Sequence, residues 1–252
     1  DFKSYDSRVP AWLIRDAFAI LRDTLDFTQY QYHGRPTDSD TLPRLWKELV
    51  RYFINTPIKF PSGYVRVKHQ GIPSGSFFTN LIGSICLSIA MEYMLNGVPY
   101  LSQAFFVLGD DGLVAVPKGL SISKFAEILG KQFGFIVNTD KSEYGEFVSF
   151  LGYRMTPAGY PGAKYEKLIA QLLLPEVADR SMDDFVNRAK ALQLSCFGHG
   201  SMKFTLEVDR FICDVGYVDY QPSVHTRSDL YRKLEQLDLA HWPPLKSVMQ
   251  RV

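Results

Sequence analysis

The 252-residue sequence predicts an α+β fold, mixed in its first part and mostly helical in its last third. Three observations carry this. Short apolar runs bounded by Gly, Pro, Asn and Asp alternate with segments of helical period up to about residue 155. From about Ala163 onward only the helical period persists. Between the two lies Thr156–Gly162, with Pro157, Gly159, Pro161 and Gly162, the expected subdomain boundary.

Asp1–Tyr5 reads as a strand. Pro10 suits a helix's first turn, and Trp12, Leu13, Ala17, Phe18, Leu21 and Leu25 continue that helix to about Asp26. Gln29–Ser39 is polar, with Gly34 and Pro36, and reads as a loop. Leu42, Leu45, Leu49 and Phe53 mark a second helix. Pro57–Phe60 and Tyr64–His69 read as strands around Pro61-Ser62-Gly63. The loop Gly71-Ile72-Pro73-Ser74-Gly75-Ser76 feeds an apolar helix from about Phe77 to Leu95. Asn80, two serines and Glu92 interrupt that run, so it reads as a buried helix and not a membrane span. Ala104–Leu108 and Leu113–Val116 flank Gly109-Asp110-Asp111-Gly112, a hairpin turn by composition. Ser121 caps a helix to about Phe133, and Phe135–Val137 and Val148–Tyr153 read as strands. The helices Lys164–Leu174, Met182–Cys196, Lys203–Val215 and Ser228–Leu237 follow.

Apolar residues make up 46% and charged residues 22%, which excludes a disordered chain, a collagen-like repeat and a disulfide-dense miniprotein. A chain this long buries roughly 70–75% of its unfolded surface. Lys plus Arg minus Asp plus Glu is 28 − 27 = +1, so bulk charge carries no nucleic-acid signature, though a local channel can still be basic. Cys86, Cys196 and Cys213 are far apart with no C-x-x-C pair, which argues against a zinc site or disulfides and for a reducing compartment. The sequence opens on Asp1 and not Met, so an upstream portion is expected beyond it.

Asp110 and Asp111 are the most informative residues. They sit at the tip of an apolar hairpin, and adjacent carboxylates repel unless a cation lies between them. Hard oxygen donors suit Mg²⁺ or Mn²⁺. The plain alternative is a solvated turn, since Asp and Gly favour turns. Asp1 and Asp6 add a second acidic segment, which with Asp110 and Asp111 could serve two ions of a phosphoryl-transfer site. For Asp6 the alternative is a first-turn helix acid. Ser74-Gly75 and Thr79 can approach phosphate or sugar oxygens, or simply begin a helix. Lys141, in Asn138-Thr139-Asp140-Lys141-Ser142, is either a solvated loop lysine or a group that protonates or neutralises a leaving pyrophosphate.

In this order the segments resemble the palm of a viral RNA-dependent RNA polymerase. Asp1 to Asp6 is similar to its motif A, D-x4-D, and Gly71 to Thr79 to motif B. Leu108-Gly109-Asp110-Asp111 is similar to motif C, Asn138 to Ser142 to motif D, and Phe150 to Tyr153 to motif E. Val9 to Phe18, Tyr52 to Pro57 and Gly71 to Thr79 look more narrowly like the partitivirus group of double-stranded RNA viruses. The resemblance implies a palm over residues 1–155, with part of the fingers inserted at about 28–70, then a helical thumb over 156–252, the upstream fingers lying outside the sequence. It implies template-directed transfer of ribonucleotides on two Mg²⁺ (or Mn²⁺) ions. Asp1 and Asp110 would be the principal ligands and Asp111 a supporting one, with Lys141 as general acid. Asp6, Ser74 and Thr79 would sense the ribose 2′-OH, and Gly75 would let the motif B loop flex.

The implied partners are an RNA template and product duplex, ribonucleoside triphosphates and a viral capsid protein, with no membrane. The implied location is the virion interior or host cytoplasm. Lys164 and Lys167, together with Arg180, Arg188, Lys190 and Lys203, could meet RNA phosphates, each against the alternative of a solvated helix face. Many relatives carry Asn four residues after the motif B Thr. Gly83 stands there, and Asn80 is expected to point elsewhere, so ribose sensing would rest on Asp6, Ser74 and Thr79. The rivals are a reverse transcriptase-like palm, in which Ala or Met usually stands near the Asp pair where Leu108-Gly109 stands here, and a non-catalytic RNA-binding remnant.

Overall fold

The structure, a computed structural model, describes residues 1–27, 29–30, 35–36, 40–100, 105–155, 158–196, 200–217, 234–241 and 243–249. It is α+β, and its contacts divide it into two compact units, Asp1–Glu143 and Tyr144–Val252.

The first unit opens with α1 (Tyr5–Arg8) and α2 (Ala11–Asp23). A two-residue pair, β1 (Gln29–Tyr30) with β2 (Arg35–Pro36), precedes α3 (Thr41–Ile54). The rest of the predicted Gln29–Ser39 loop lies outside the described residues. Strands β3 (Pro57–Lys59) and β4 (Val65–Val67) form an antiparallel hairpin, followed by the loop into α4 (Thr79–Met94). A second hairpin joins β5 (Phe105–Leu108) to β6 (Asp111–Val114), and α5 (Ile122–Phe133) closes the unit. The Ser121 hydroxyl accepts the Lys124 N–H at 3.4 Å to start α5, and Gly134, at φ 72°, ends it.

The core of this unit gathers Val9, Leu13, Ile14, Ala17 and Phe18 from α2 and its approach with Ile82, Cys86, Leu87 and Ala90 of α4. Phe18 sits edge-on to Trp46 and Phe53, which draws α3 onto the same core. Helix α4 is thus buried along its apolar face, through Ile82, Cys86, Leu87, Ala90, Met91 and Met94, as its mainly apolar composition predicts. No described helix is long and apolar enough to cross a membrane.

Three expectations fail in this unit. Asp1–Tyr5 is not a strand: only Phe2 makes a β-bridge, to Val137, and the chain then turns into α1. The buried Tyr5 explains this, because its ring packs on Phe2 and Phe135 and its hydroxyl donates to the Gly83 carbonyl at 2.8 Å. Phe135–Val137 is likewise reduced to that one bridge. Helix α2 stops at Asp23 because Leu25 is left exposed, so nothing apolar is gained by another turn.

In the second unit, β7 (Ser149–Phe150), β8 (Tyr153–Met155) and β9 (Pro161–Ala163) form an antiparallel sheet. Val148–Tyr153 is therefore a hairpin and not one strand, turning through Leu151 at φ 53° and Gly152 at φ 81°, the pattern of a type I′ turn. Helices α6 (Tyr165–Leu173), α7 (Met182–Ser195), α8 (Met202–Asp214) and α9 (Leu245–Met249) follow. Leu168, Leu172, Val186, Ala189, Phe204, Val208 and Ile212 form the core of α6, α7 and α8, and Val248 of α9 packs in a separate cluster with Ala191 and Leu194. Residues 228–233 of the predicted Ser228–Leu237 helix lie outside the described residues.

Candidate active site

Leu108 pairs with Asp111 across the β5–β6 hairpin, so the turn is Gly109-Asp110 alone. Gly109 has φ 62° and Asp110 does not enter the left-handed region, the requirement of a II′ turn with Gly first. The turn is therefore two residues shorter than composition suggested, with Asp111 and Gly112 already in β6. Asp110 is exposed at the tip and Asp111 is half-buried.

Helix α4 holds this turn. The Ser84 hydroxyl accepts the Gly109 N–H at 2.8 Å and donates to the Asn80 carbonyl at 2.8 Å, with Asn80 Oδ1 at 3.2 Å. Asn80 thus faces the hairpin turn, which the sequence reading did not foresee. Gly83 lies one residue away on the same helix. A Cβ there would sit 3.8 Å from Gly109 Cα and 3.4 Å from Ile72 Cδ1.

The N-terminal segment comes to the same place. The Asp1 carbonyl accepts the Asn138 N–H at 2.9 Å, and the Lys3 N–H donates to the Ile136 carbonyl at 2.8 Å. Lys141 follows a turn begun by Asn138, and its Nζ lies 3.8 Å from Asp1 Oδ2. The charges of Asp111 and Asp110 reach the backbone nitrogen of Asp1. Asp6 keeps much of its surface in solvent, yet crowding around its carboxyl raises its pKa, Asp110 raises it further, and a Ser74 hydrogen bond counters both. Asp1, Asp6, Asp110 and Asp111 thus lie in one electrostatic neighbourhood, with Lys141 as a cation beside Asp1.

The Gly71–Thr79 loop is attached to this group. The Ile72 N–H donates to the Asp6 carbonyl at 2.6 Å, and the Thr79 hydroxyl donates to the Pro73 carbonyl at 2.5 Å. Gly71, at φ 81°, must be glycine: a Cβ would fall 2.6 Å from the Asp6 carbonyl oxygen. Ser74 and Gly75 are exposed at the loop's tip.

Among the described residues, no three His, Cys, Asp or Glu side chains are gathered closely enough to hold a metal ion. The acids share a field, and their donor chemistry, hard carboxylate oxygens under mutual repulsion, fits a divalent cation.

The basic residues of the second unit divide. Lys164 and Lys167 are exposed at the start of α6, Lys167 lying over the Gly152 turn. Lys203 lies 3.9 Å from the centre of the Tyr165 ring. Arg188 and Lys190 do not face solvent as phosphate contacts would. Lys190 is 2% exposed, and the Arg188 guanidinium donates to the Asp179 carboxylate and to the Gln171 and Leu172 carbonyls. Asn80, expected to point elsewhere, and Ser84, not singled out by any motif, lie with Ser88 in a visible polar stripe at four-residue spacing on an apolar helix.

A family model for viral RNA-dependent RNA polymerase matches residues 1–209. The RNA-directed RNA polymerase of Cryptosporidium parvum virus 1 (strain KSU-1) is 35% identical over 210 residues, 72% of this chain and 37% of that protein. The genome polyprotein of Ornithogalum mosaic virus is 28% identical over 184 residues, 68% of this chain and 15% of the polyprotein. The chain therefore spans well under half of these relatives. Among solved structures, the RNA-dependent RNA polymerase of a human picobirnavirus superposes with TM-score 0.67 at 16% identity, covering 83% of this chain and 40% of that one. The Sicinivirus 3Dpol RNA-dependent RNA polymerase superposes with TM-score 0.60, also at 16% identity, covering 94% and 50%. At that identity the likeness is one of fold.

Proposed function

This chain belongs to the viral RNA-dependent RNA polymerase family, and from that premise we propose that it carries the nucleotidyl-transfer site of a longer RNA-directed RNA polymerase. The observation that supports this is the meeting of Asp1, Asp6, Asp110 and Asp111 in one field with Lys141 beside Asp1. Asp1 and Asp110, with Asp111 in support, would hold two Mg²⁺ or Mn²⁺ ions. Those ions, when bound, supply activation of the primer hydroxyl and neutralisation of phosphate charge. Lys141, exposed beside Asp1, would give a proton to departing pyrophosphate. Asp6 and Ser74, already in contact, read the ribose hydroxyl, Thr79 steadies the loop that carries Ser74, and Gly75 lets its tip move.

On this reading residues 1–155 are palm, with an inserted part of the fingers at about 28–70, and residues 156–252 are thumb. Lys164 and Lys167 would meet the phosphates of template or product RNA. The substrates are ribonucleoside triphosphates, the source is a double-stranded RNA virus of partitivirus type, and a capsid protein is the expected companion in the virion interior or host cytoplasm.

The test is Asp110→Asn in the full-length polymerase. Loss of a single transition-state donor costs about 10²–10³ in rate, and a metal ligand costs more, so elongation falls below detection. Near-normal synthesis by that variant refutes the assignment. Supplying deoxyribonucleotides in place of ribonucleotides separates the polymerase from a reverse transcriptase.

A further inference from the structure

Lys68 follows β4, and its backbone N–H is fixed on the Thr56 carbonyl at 3.2 Å. Its side chain turns inward. Nζ donates to the carbonyls of Phe53 at 2.6 Å, Ile54 at 3.2 Å and Gly71 at 2.6 Å, and lies 5.7 Å from the centre of the Phe53 ring. All three hydrogens of the ammonium are thereby spent on backbone. Two of the acceptors belong to the last turn of α3, where carbonyls lack helical partners and the helix dipole favours a cation. The third is Gly71, the first residue of the motif B loop.

That loop is pinned at its start and end, and its tip is exposed, touching Asp6 through Ser74. The Gly71 N–H donates to the Val9 carbonyl at 2.8 Å, and the Ile72 N–H to the Asp6 carbonyl at 2.6 Å. At the other end, the Thr79 N–H donates to the Ser76 carbonyl at 3.1 Å. A Cβ at Gly75 would meet nothing within 4 Å. Where Ser74 meets Asp6 therefore depends on how firmly Gly71 is held.

We propose that Lys68 is a positioning residue for nucleotide recognition. By fastening Gly71 to the end of α3 it sets the place of Ser74 against Asp6, and so the reading of the ribose hydroxyl. The proposal rests on the polymerase reading above, while the fastening itself does not.

The experiment compares wild type, Lys68→Met and Lys68→Arg in the full-length polymerase. Hydrogen exchange of the peptide spanning Gly71–Thr79 reports the fastening whatever the activity. Lys68→Met exchanges faster there, on the order of tenfold, with the global unfolding midpoint little changed, and Lys68→Arg returns toward wild type. In single-nucleotide incorporation, Lys68→Met raises the ribonucleotide KM and lowers the preference for ribose over deoxyribose, each on the order of tenfold, with template Kd unchanged. Unchanged exchange in folded Lys68→Met overturns the fastening. Faster exchange with unchanged KM and sugar preference overturns the positioning role. A wild-type enzyme that incorporates neither sugar overturns the polymerase reading and the positioning role with it, the exchange result still deciding the fastening. If Lys68→Met fails to fold, Lys68→Gln is read by the same measurements.

Discussion

The Ser84 hydroxyl accepts the Gly109 N–H at 2.8 Å, so one side chain of α4 fixes the turn that presents Asp110. Removing it leaves a half-buried amide to find another partner. Ser84→Ala is expected to cost about 1 kcal/mol of stability, the usual net worth of such a bond. It should lower kcat more than nucleotide KM, because the turn carries proposed metal ligands and not the sugar contacts. Denaturant unfolding and steady-state incorporation check the two halves. A change in KM alone would show that the turn holds its place without Ser84.

Lys141 separates a chemical role from a structural one. Its side chain is 72% exposed and its Nζ lies 3.8 Å from Asp1 Oδ2, so the pair contributes at most about 1 kcal/mol to folding. A general acid is worth about 10²–10⁴ in rate. Lys141→Leu should therefore leave the unfolding midpoint and template affinity almost unchanged while slowing incorporation by that factor. Weakened template binding at an unchanged rate would make Lys141 a phosphate contact instead.

Gly83 stands in the middle of buried α4, where glycine costs about 0.5–1 kcal/mol relative to alanine. The nearest atom to an added Cβ is Ile72 Cδ1 at 3.4 Å, the flexible end of a side chain, and Tyr5 bonds only the Gly83 carbonyl. Gly83→Ala is expected to stabilise the chain by roughly that amount, measured by thermal or denaturant unfolding. Destabilisation would show that the Ile72 side chain, the nearest neighbour of the added methyl, cannot give way.

The residues that were legible in the sequence are those whose signal is local. Helix α5 begins at Ser121 and ends before Gly134 because cap chemistry is written in adjacent residues. The acids at Asp1 and Asp110 were legible as two short patterns. What the sequence hid depends on distant partners. Tyr5 leaves the strand pattern because its hydroxyl finds the carbonyl of Gly83, 78 residues away. Leu151 gives no warning of a turn, since a branched residue at φ 53° is uncommon and only the flanking pairs Phe150–Tyr153 and Ser149–Arg154 impose it. Lys68 looked like any lysine ending a strand, and its three acceptors come from two other segments.

Arg188, one of the expected RNA contacts, is structural by its surroundings. Its side chain is 14% exposed, paired with Asp179, and caps the end of α6 through the Gln171 and Leu172 carbonyls. Breaking a mostly buried pair of this kind costs about 3–5 kcal/mol, because the partner charge and carbonyls are left behind. Arg188→Met should therefore lower stability by a few kcal/mol. RNA affinity, measured at a temperature where the variant is folded, should keep its wild-type salt dependence. A shallower salt dependence would return Arg188 to the RNA surface.

Lys68 also makes stability depend on pH in a stated direction. Burial lowers its pKa to about 8, whereas in the unfolded chain a lysine titrates near 10.4. Between those values the unfolded chain binds more protons than the folded one, so the contribution of Lys68 to stability rises with pH across that window. Below about pH 8 both states carry the proton and the contribution is flat at its lowest. Denaturant unfolding of wild type and Lys68→Met from pH 7 to pH 10 isolates this group, because every other titration is common to both proteins. Wild type should gain on the variant above about pH 8. If it loses ground instead, the three carbonyls hold the ammonium more strongly than burial expels it, and the folded pKa lies above the unfolded one.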